Sequence, residues 1–415
     1  MKKFFIALLG ASLASPAYAG GYRVALQGQK ALAMGHTGVA MSESAESVFF
    51  NPGAITQLSA NTDIVGGLAV LGSEAKYEEE DTLSKAETDN PLGTPFNGYV
   101  AQKWNDDVSW GLGIYTPYGN KVEWPDDWQG SHLVNNIDLK TIFIQPTIAY
   151  QLTPSTSIGA GPALVLGSVK FNRNLSTSLT NAQGKRSNVE IEANNVTAWG
   201  YNIGLLHKLA DNRTSLGISY RSEVTVEARG EDADFDDVPT ALQSTFTDGD
   251  FDADLPLPAE LTIGVAYEYS DRLTLAFDFN RTFWDTYDEL KIEFDNGITS
   301  VNPRNYEDSN IYRFGLQYRY NDRWTLRGGV YFDESPVQDG YYAPETPRND
   351  AIGYTAGATY NYSKNLQMDV SLLILTFDNE ENSYDYYEEG GVTIPFGGTY
   401  DSSANSIGFG LSYKY

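Results

Sequence analysis

The chain ends on residues 405–415, "NSIGFGLSYKY". Ile407, Phe409, Leu411, Tyr413 and Tyr415 fall on one side of a period-two pattern, and Gly408, Gly410, Ser412 and Lys414 on the other. Such alternation marks a β-strand with two unlike faces. It returns in "IYRFGLQYRY" (311–320), "LTIGVAYEY" (261–269), "LTLAFDFN" (273–280) and "IGYTAGATYNY" (352–362). In a water-soluble sandwich the bulky apolar face would be the interior. Here the opposite face carries Arg221, Glu223, Glu268, Asp278, Arg313, Arg319, Arg327 and Asp369 beside many glycines. Strands that are apolar outside, polar inside and tyrosine-rich at their ends describe a transmembrane β-barrel. A closed barrel is also the one sheet that satisfies its whole backbone in lipid.

Read along the chain, the pattern predicts fourteen strands: 62–73, 96–104, 108–122, 137–152, 156–173, 194–209, 213–229, 258–270, 272–294, 309–320, 323–334, 350–362, 365–378 and 403–415. The connections alternate between short turns ("NDD" 105–107, "TPS" 153–155, "ADN" 210–212, "SDR" 270–272, "ND" 321–322, "SKN" 363–365) and long loops. Short periplasmic turns and long extracellular loops are the usual asymmetry of bacterial barrels, so both termini are expected in the periplasm. The fold class expected is all-β, an antiparallel transmembrane barrel of fourteen strands.

One strand breaks its own rule. Residues 108–124, "VSWGLGIYTPYGNKVEW", alternate cleanly until Thr116-Pro117-Tyr118-Gly119. Proline has no N–H to give to a ladder, so in mid-sheet it opens a gap.

The chain starts "MKKFFIALLGASLASPAYA", with basic Lys2 and Lys3, an apolar run and a small-x-small site at Ala17-Tyr18-Ala19. This reads as a secretory signal peptide over 1–19, leaving a mature chain from Gly20. Removing the two lysines takes the net charge from −27 to −29, which argues against a nucleic-acid partner. Cysteine is absent, so no disulfide holds this exported chain. The long loops are acidic ("YEEED" 77–81, "GEDADFDDV" 230–238, "DNEENSYDYYEE" 378–389). They read either as solvated loops or as bridges to lipopolysaccharide through divalent cations, with no calcium-loop spacing among them. His36, His132 and His207 are scattered and no nucleophile motif accompanies them. No catalytic residue, metal ligand or cofactor is expected, and the chain is not read as an enzyme.

Residues 20–60 show no strand alternation, yet Val48, Phe49, Phe50, Ile55 and Leu58 make them too apolar for a disordered tail. A fourteen-strand lumen is too wide for wall side chains to fill. The segment is therefore expected as a plug, giving three regions: 1–19 signal peptide, 20–60 hatch, 61–415 barrel.

Taken in order, "NPG" (51–53), "TPYG" (116–119), "WGYNIGLL" (199–206), "SLGISYRSEV" (215–224) and "WTLRGGVYFDESPV" (324–337) resemble the FadL family of outer-membrane long-chain fatty acid transporters. The likeness runs over nearly the whole mature chain. It implies a plugged fourteen-strand barrel for passive uptake of hydrophobic molecules. It gives Asn51 and Pro52 to the family's Asn-Pro-Ala hatch motif, with Gly53 in place of the alanine. It gives Thr116, Pro117, Tyr118 and Gly119 to the kink that opens the wall sideways, and Arg173 to an arginine that approaches the ligand carboxylate. The companion lysine falls near Ser309 and is missing; Arg313 is the candidate to replace it. Val165, Val169 and Phe171 extend an apolar slot from Arg173, which suits a long chain with a charged head.

The resemblance further implies capture on loops 174–193 and 230–257, a lumen pocket, and exit through the third strand. The partners expected are a long-chain fatty acid or other hydrophobic small molecule, outer-membrane lipid and lipopolysaccharide, and the barrel assembly machinery through the C-terminal strand ending at Tyr415. A monomer is expected. Uptake of aromatic hydrocarbons, a general porin and a structural or adhesive barrel are the alternatives.

Overall fold

The computed structural model describes residues 21–80 and 82–415; the expected signal peptide lies outside them. Among the described residues, fourteen antiparallel strands close into a barrel. They are β1 (Thr62–Glu78), β2 (Phe96–Lys103), β3 (Val108–Tyr115 and Gly119–Glu123), β4 (Asn136–Thr153), β5 (Thr156–Asn174), β6 (Asn188–Lys208) and β7 (Thr214–Arg221 and Val224–Asp236). There follow β8 (Gly249–Leu257 and Ala259–Ser270), β9 (Leu273–Phe283 and Glu289–Phe294), β10 (Thr299–Pro303 and Ser309–Arg319), β11 (Trp324–Asp333), β12 (Ala351–Asn361), β13 (Leu366–Phe377) and β14 (Phe396–Lys414). Each pairs with the next, and β14 closes on β1 from Asp63↔Lys414 to Glu78↔Thr399.

The alternation read from the sequence is the alternation of the wall. On β13 Met368, Val370, Leu372 and Ile374 point out and are exposed, whereas Asp369, Ser371 and Leu373 point in and are buried. An exposed apolar surface repeated around a whole barrel suits lipid, not water.

The strands differ from expectation at one end. β1, β6, β7, β8, β10 and β14 run further towards the long loops, so 188–193, 230–236 and 249–257, read as capture loops, are largely strand. These extensions stand beyond the apolar band, where polar residues occupy the outer face and the period-two signal fades. Five strands (β3, β7, β8, β9 and β10) are also interrupted at mid-height.

The lumen is filled by residues 21–60, which carry helices α1 (Gln29–Leu32) and α2 (Ser47–Phe50) and a 3-10 turn over Pro52–Gln57. Helix α1 packs on β12, β13 and β14, whereas the 3-10 turn packs on β4, β5 and β6, so the segment spans the lumen from wall to wall. Ion pairs tie it in place: Arg23–Asp333 at 2.7 Å, Arg327–Glu43 at 3.2 Å and Lys30–Asp369 at 3.9 Å. Buried pairs add little net stability, but breaking one strands a charge.

Inward glycines let the plug touch wall backbone. A β-carbon on Gly329 would overlap the Gly35 nitrogen, and one on Gly204 would overlap the Asn51 side chain. Gly35 itself sits at φ +68, where a side chain is strained. Gly329→Ala should therefore leave strand pairing intact but push the hatch turn off the wall, at a cost of about 1–3 kcal/mol. The expected readout is a barrel that keeps its heat-modifiable migration yet conducts ions in planar bilayers; wild-type insulation in the variant would contradict this account of the packing.

Candidate functional site

At the third strand, Tyr115 pairs with Phe143 and Gly119 with Lys140. Three residues, Thr116 to Tyr118, thus oppose two on β4, which is a bulge. On its other side β3 pairs with β2 only as far as Tyr115↔Asn97, and Gly119–Glu123 has no β2 partner. The freed groups are met from inside. Val24 N–H donates to the Pro117 carbonyl at 2.8 Å, Gly119 N–H donates to the Tyr22 carbonyl at 3.0 Å, and the Gln27 amide donates to the Thr116 carbonyl at 2.7 Å. The hatch thereby stands in as the missing strand.

Tyr22 also forms the floor of a cavity. Its ring meets Trp284 edge-on at 4.9 Å, Tyr287 at 5.8 Å and Tyr118 at 6.3 Å, and its hydroxyl donates to the Pro256 carbonyl. Above it lies a cavity of about 90 Å³, walled by Leu139, Val169, Phe171, Ile191, Phe251 and Ile292 among others. A second space, of about 80 Å³, lies along residues 23–26 and is bounded by Leu71, Asn90, Lys121 and Val122 beside the unpaired part of β3. The hatch N-terminus is the partition between the two.

Towards the long loops stand two arginines. Arg173 donates to the His132 carbonyl at 3.0 Å and the Ser300 hydroxyl at 3.1 Å, and among the described residues no carboxylate forms an ion pair with it. Arg304 pairs with Glu345, a cavity-lining residue, and donates to the Tyr384 hydroxyl at 3.2 Å. One of the two cations is thus neutralised and the other is not.

Of the residues expected at the site, Val169 and Phe171 line the cavity. Val165 is fully buried in the packed core beside Tyr115 and Phe143, and Arg173 stands outside the cavity lining. Arg313 does not meet Arg173. It faces a polar space beneath the kink with Arg23, Arg221 and Glu260, opposite Asp278 on β9. Asn51 is buried, its amide donating to the Val39 carbonyl at 2.7 Å and the Leu205 carbonyl at 2.9 Å while its oxygen accepts from Gly53 N–H. Pro52 opens the 3-10 turn, and Gly53 lies so near the Gly204 and Ser157 carbonyls that a β-carbon would crowd them. Sequence reasoning missed Tyr22, Trp284, Tyr287 and the Arg304–Glu345 pair. Their aromatic density was visible, but nothing local joins residue 22 to residues 284–306.

A family model described as "Outer membrane protein transport protein (OMPP1/FadL/TodX)" matches residues 10–415. The chain is 26% identical to a long-chain fatty acid transport protein of Salmonella typhi, over 94% of this chain and 95% of that one. It is 23% identical to outer membrane protein P1 of Haemophilus influenzae, over 94% and 92%. Its fold matches a Pseudomonas aeruginosa FadL homologue at TM-score 0.82, with 17% identity over 95% of this chain and 99% of that one. It matches the Ralstonia pickettii toluene transporter TbuX at 0.70, with 18% identity over 94% and 98%.

The hatch carries a titratable group of its own. Glu46 is buried beside Lys30, and burial, only partly offset by the Lys30 charge, pushes its carboxyl up to about 7. An acid whose folded pKa is raised stabilises the docked hatch below about pH 4.5, and that stability is lost as pH rises through 7. Amide exchange over residues 29–50, corrected for intrinsic rate, should show weaker protection at pH 8 than at pH 5. Glu46→Gln should flatten the profile; an equal pH response in the variant would assign the effect elsewhere.

Proposed function

The chain belongs to the outer-membrane transport protein family OMPP1/FadL/TodX, and from that membership we propose that it takes up long-chain fatty acids or molecules of similar shape. It is a transporter, not an enzyme. The long-loop end faces outside and the short-turn end, with both termini, faces the periplasm. Ligand is captured at the long-loop end above the lipopolysaccharide, settles in the apolar cavity, and leaves sideways between β2 and β3 into the membrane. The working unit is the monomer, inserted by the barrel assembly machinery through β14.

The observation that carries this reading is the double role of Tyr22: cavity floor on one side, hydrogen-bond partner of the kink on the other. A chain pressing on the Tyr22 ring displaces the backbone that seals the gap. The head group falls to Arg173, whose charge lacks a carboxylate partner among the described residues, with Arg304 close behind. A second reading, uptake of uncharged aromatic hydrocarbons, draws on the mainly apolar walls of the cavity, where Glu345 is already paired with Arg304.

Two experiments separate these ideas. Mass spectrometry of lipid co-purified with the folded barrel identifies the ligand class. Arg173→Ala should lower oleate affinity roughly ten- to a hundredfold, the value of a hydrogen bond to a charged group, while methyl oleate binding stays unchanged. Equal binding of acid and ester by the unaltered protein would favour hydrocarbons.

The exit is tested by the register. Deleting Pro117 would move Gly119 into line with the Tyr115↔Phe143 ladder and remove the bulge. Cells whose only copy carries this deletion should bind labelled oleate at the surface but fail to grow on it. Normal growth with a continuous β3 would mean that ligand leaves past the hatch instead.

A further inference from the structure

The wall has a second interruption, between β6 and β7. Near the short-turn end they pair up to Asn202↔Arg221, with one more bond from Ser222 N–H to the Tyr201 carbonyl at 2.9 Å. Pairing resumes at Glu192↔Asp232. Over 193–200 and 223–230 the strands share no ladder, roughly 25 Å of wall.

Both lips are shaped for this. On β6, Asn194 and Asn195 oppose the single residue Ser168, a bulge with Asn195 at φ +56. On β7, Arg229 and Gly230 oppose Asp252, with Gly230 at φ +63. The bulges stand at one height, bridged from Asn194 N–H to the Glu231 carboxylate at 3.2 Å. Arg229 is fastened to the β8 side by Asp254 at 2.5 Å, away from β6.

The unpaired stretch begins where the apolar band ends, and Val224 and Val226 pack across it against Gly200 and Gly167. Trp199, Tyr201 and Tyr220 stand at its lower edge, Trp199 being 68% exposed. Below them lie Ile203, Leu216 and Ile218; above them the outward residues are Thr197, Glu223, Thr225 and Glu227. Aromatic side chains of this kind mark the membrane interface, so the unpaired backbone meets headgroups and water and not hydrocarbon. The inner rim is apolar, and Ala193, Val196, Val226 and Ala228 are lining residues of the cavity itself.

We propose that β6 and β7 frame a side entrance through which a single-chain amphiphile dissolved in the outer leaflet reaches the cavity, without passing the long-loop end. The polar outer rim receives its head and the apolar inner rim its chain. This rests on the reading that the cavity holds the transported ligand.

The absence of cysteine makes the test clean. Thr225→Cys, on the outer rim, is coupled after folding to a polyethylene-glycol maleimide. Thr376→Cys, exposed on a stretch of β13 paired on both sides, is the control. Both full-length barrels are placed in phosphatidylcholine vesicles, and uptake of cis-parinaric acid from those vesicles is followed by energy transfer from tryptophan. The labelled Thr225→Cys barrel should fill about tenfold slower or more, at unchanged final occupancy, with the control unaffected. Filling at the unlabelled rate would overturn the side entrance and leave the charged rim as a guard against strand addition. Failure of the unlabelled, folded barrel to bind the probe at all would overturn the fatty-acid reading beneath it.

Discussion

A backbone N–H or carbonyl without a partner costs several kcal/mol in hydrocarbon, and this constraint decides where the wall can be opened. The structure meets it in two ways. At Thr116–Tyr118 the ladder is broken and the hatch supplies the partners, through Val24, Tyr22 and Gln27. Between β6 and β7 the ladder stops at Tyr201, level with the aromatic rim of Trp199, Tyr201 and Tyr220, where lipid gives way to water. The interruptions in β9 and β10 are closed by mass: Trp284 and Tyr287 each pack edge to face between Tyr22 and Tyr306.

The hatch is consequently more than a stopper. Its middle is fixed by steric fit and by charge, Asn51 against β6 and Lys30 against β13. Its first residues hold the kink instead. Arg23 joins this end to Asp333 on β11, and the Gly21 carbonyl accepts from Arg348 in the loop that follows β11. Tyr22 thus sits in a segment anchored on two sides of the barrel at once.

Much of this was legible in sequence wherever lipid imposes a period of two. The strands expected at 323–334, 350–362 and 365–378 appear at Trp324–Asp333, Ala351–Asn361 and Leu366–Phe377. Pro117 announced the kink. Beyond the membrane the outer face turns acidic: in "GEDADFDD" Asp232, Asp234 and Asp236 are exposed while Ala233 and Phe235 pack inside, so a stretch read as loop is strand up to Asp236. The cavity was half legible. Val169 and Phe171 belong to it, but Arg313, taken as the stand-in for a lysine that the resemblance puts near Ser309, is set opposite Asp278 by the register of β10 on β9. Contacts such as Tyr22 with Trp284 join segments more than 250 residues apart, and no local pattern encodes them.

The interruptions also solve a problem of sidedness. Below the kink, β3 turns Trp110, Leu112 and Ile114 outward; above it, Asn120 and Val122, of the same parity, are buried inside. Strand β7 does likewise, with Ile218 and Tyr220 facing out and Val224 and Val226 facing in after the break at Ser222–Glu223. A one-residue slip turns every later side chain to the other face. Near the short turns the barrel needs grease outside, for lipid, and charge inside, for the hatch. Near the long loops it needs charge outside, for water, and grease inside, for a ligand. A strand of constant phase would have to invert its residue pattern at the membrane surface. A bulge inverts the backbone instead, so that one unbroken apolar alternation serves lipid along its first half and the cavity along its second.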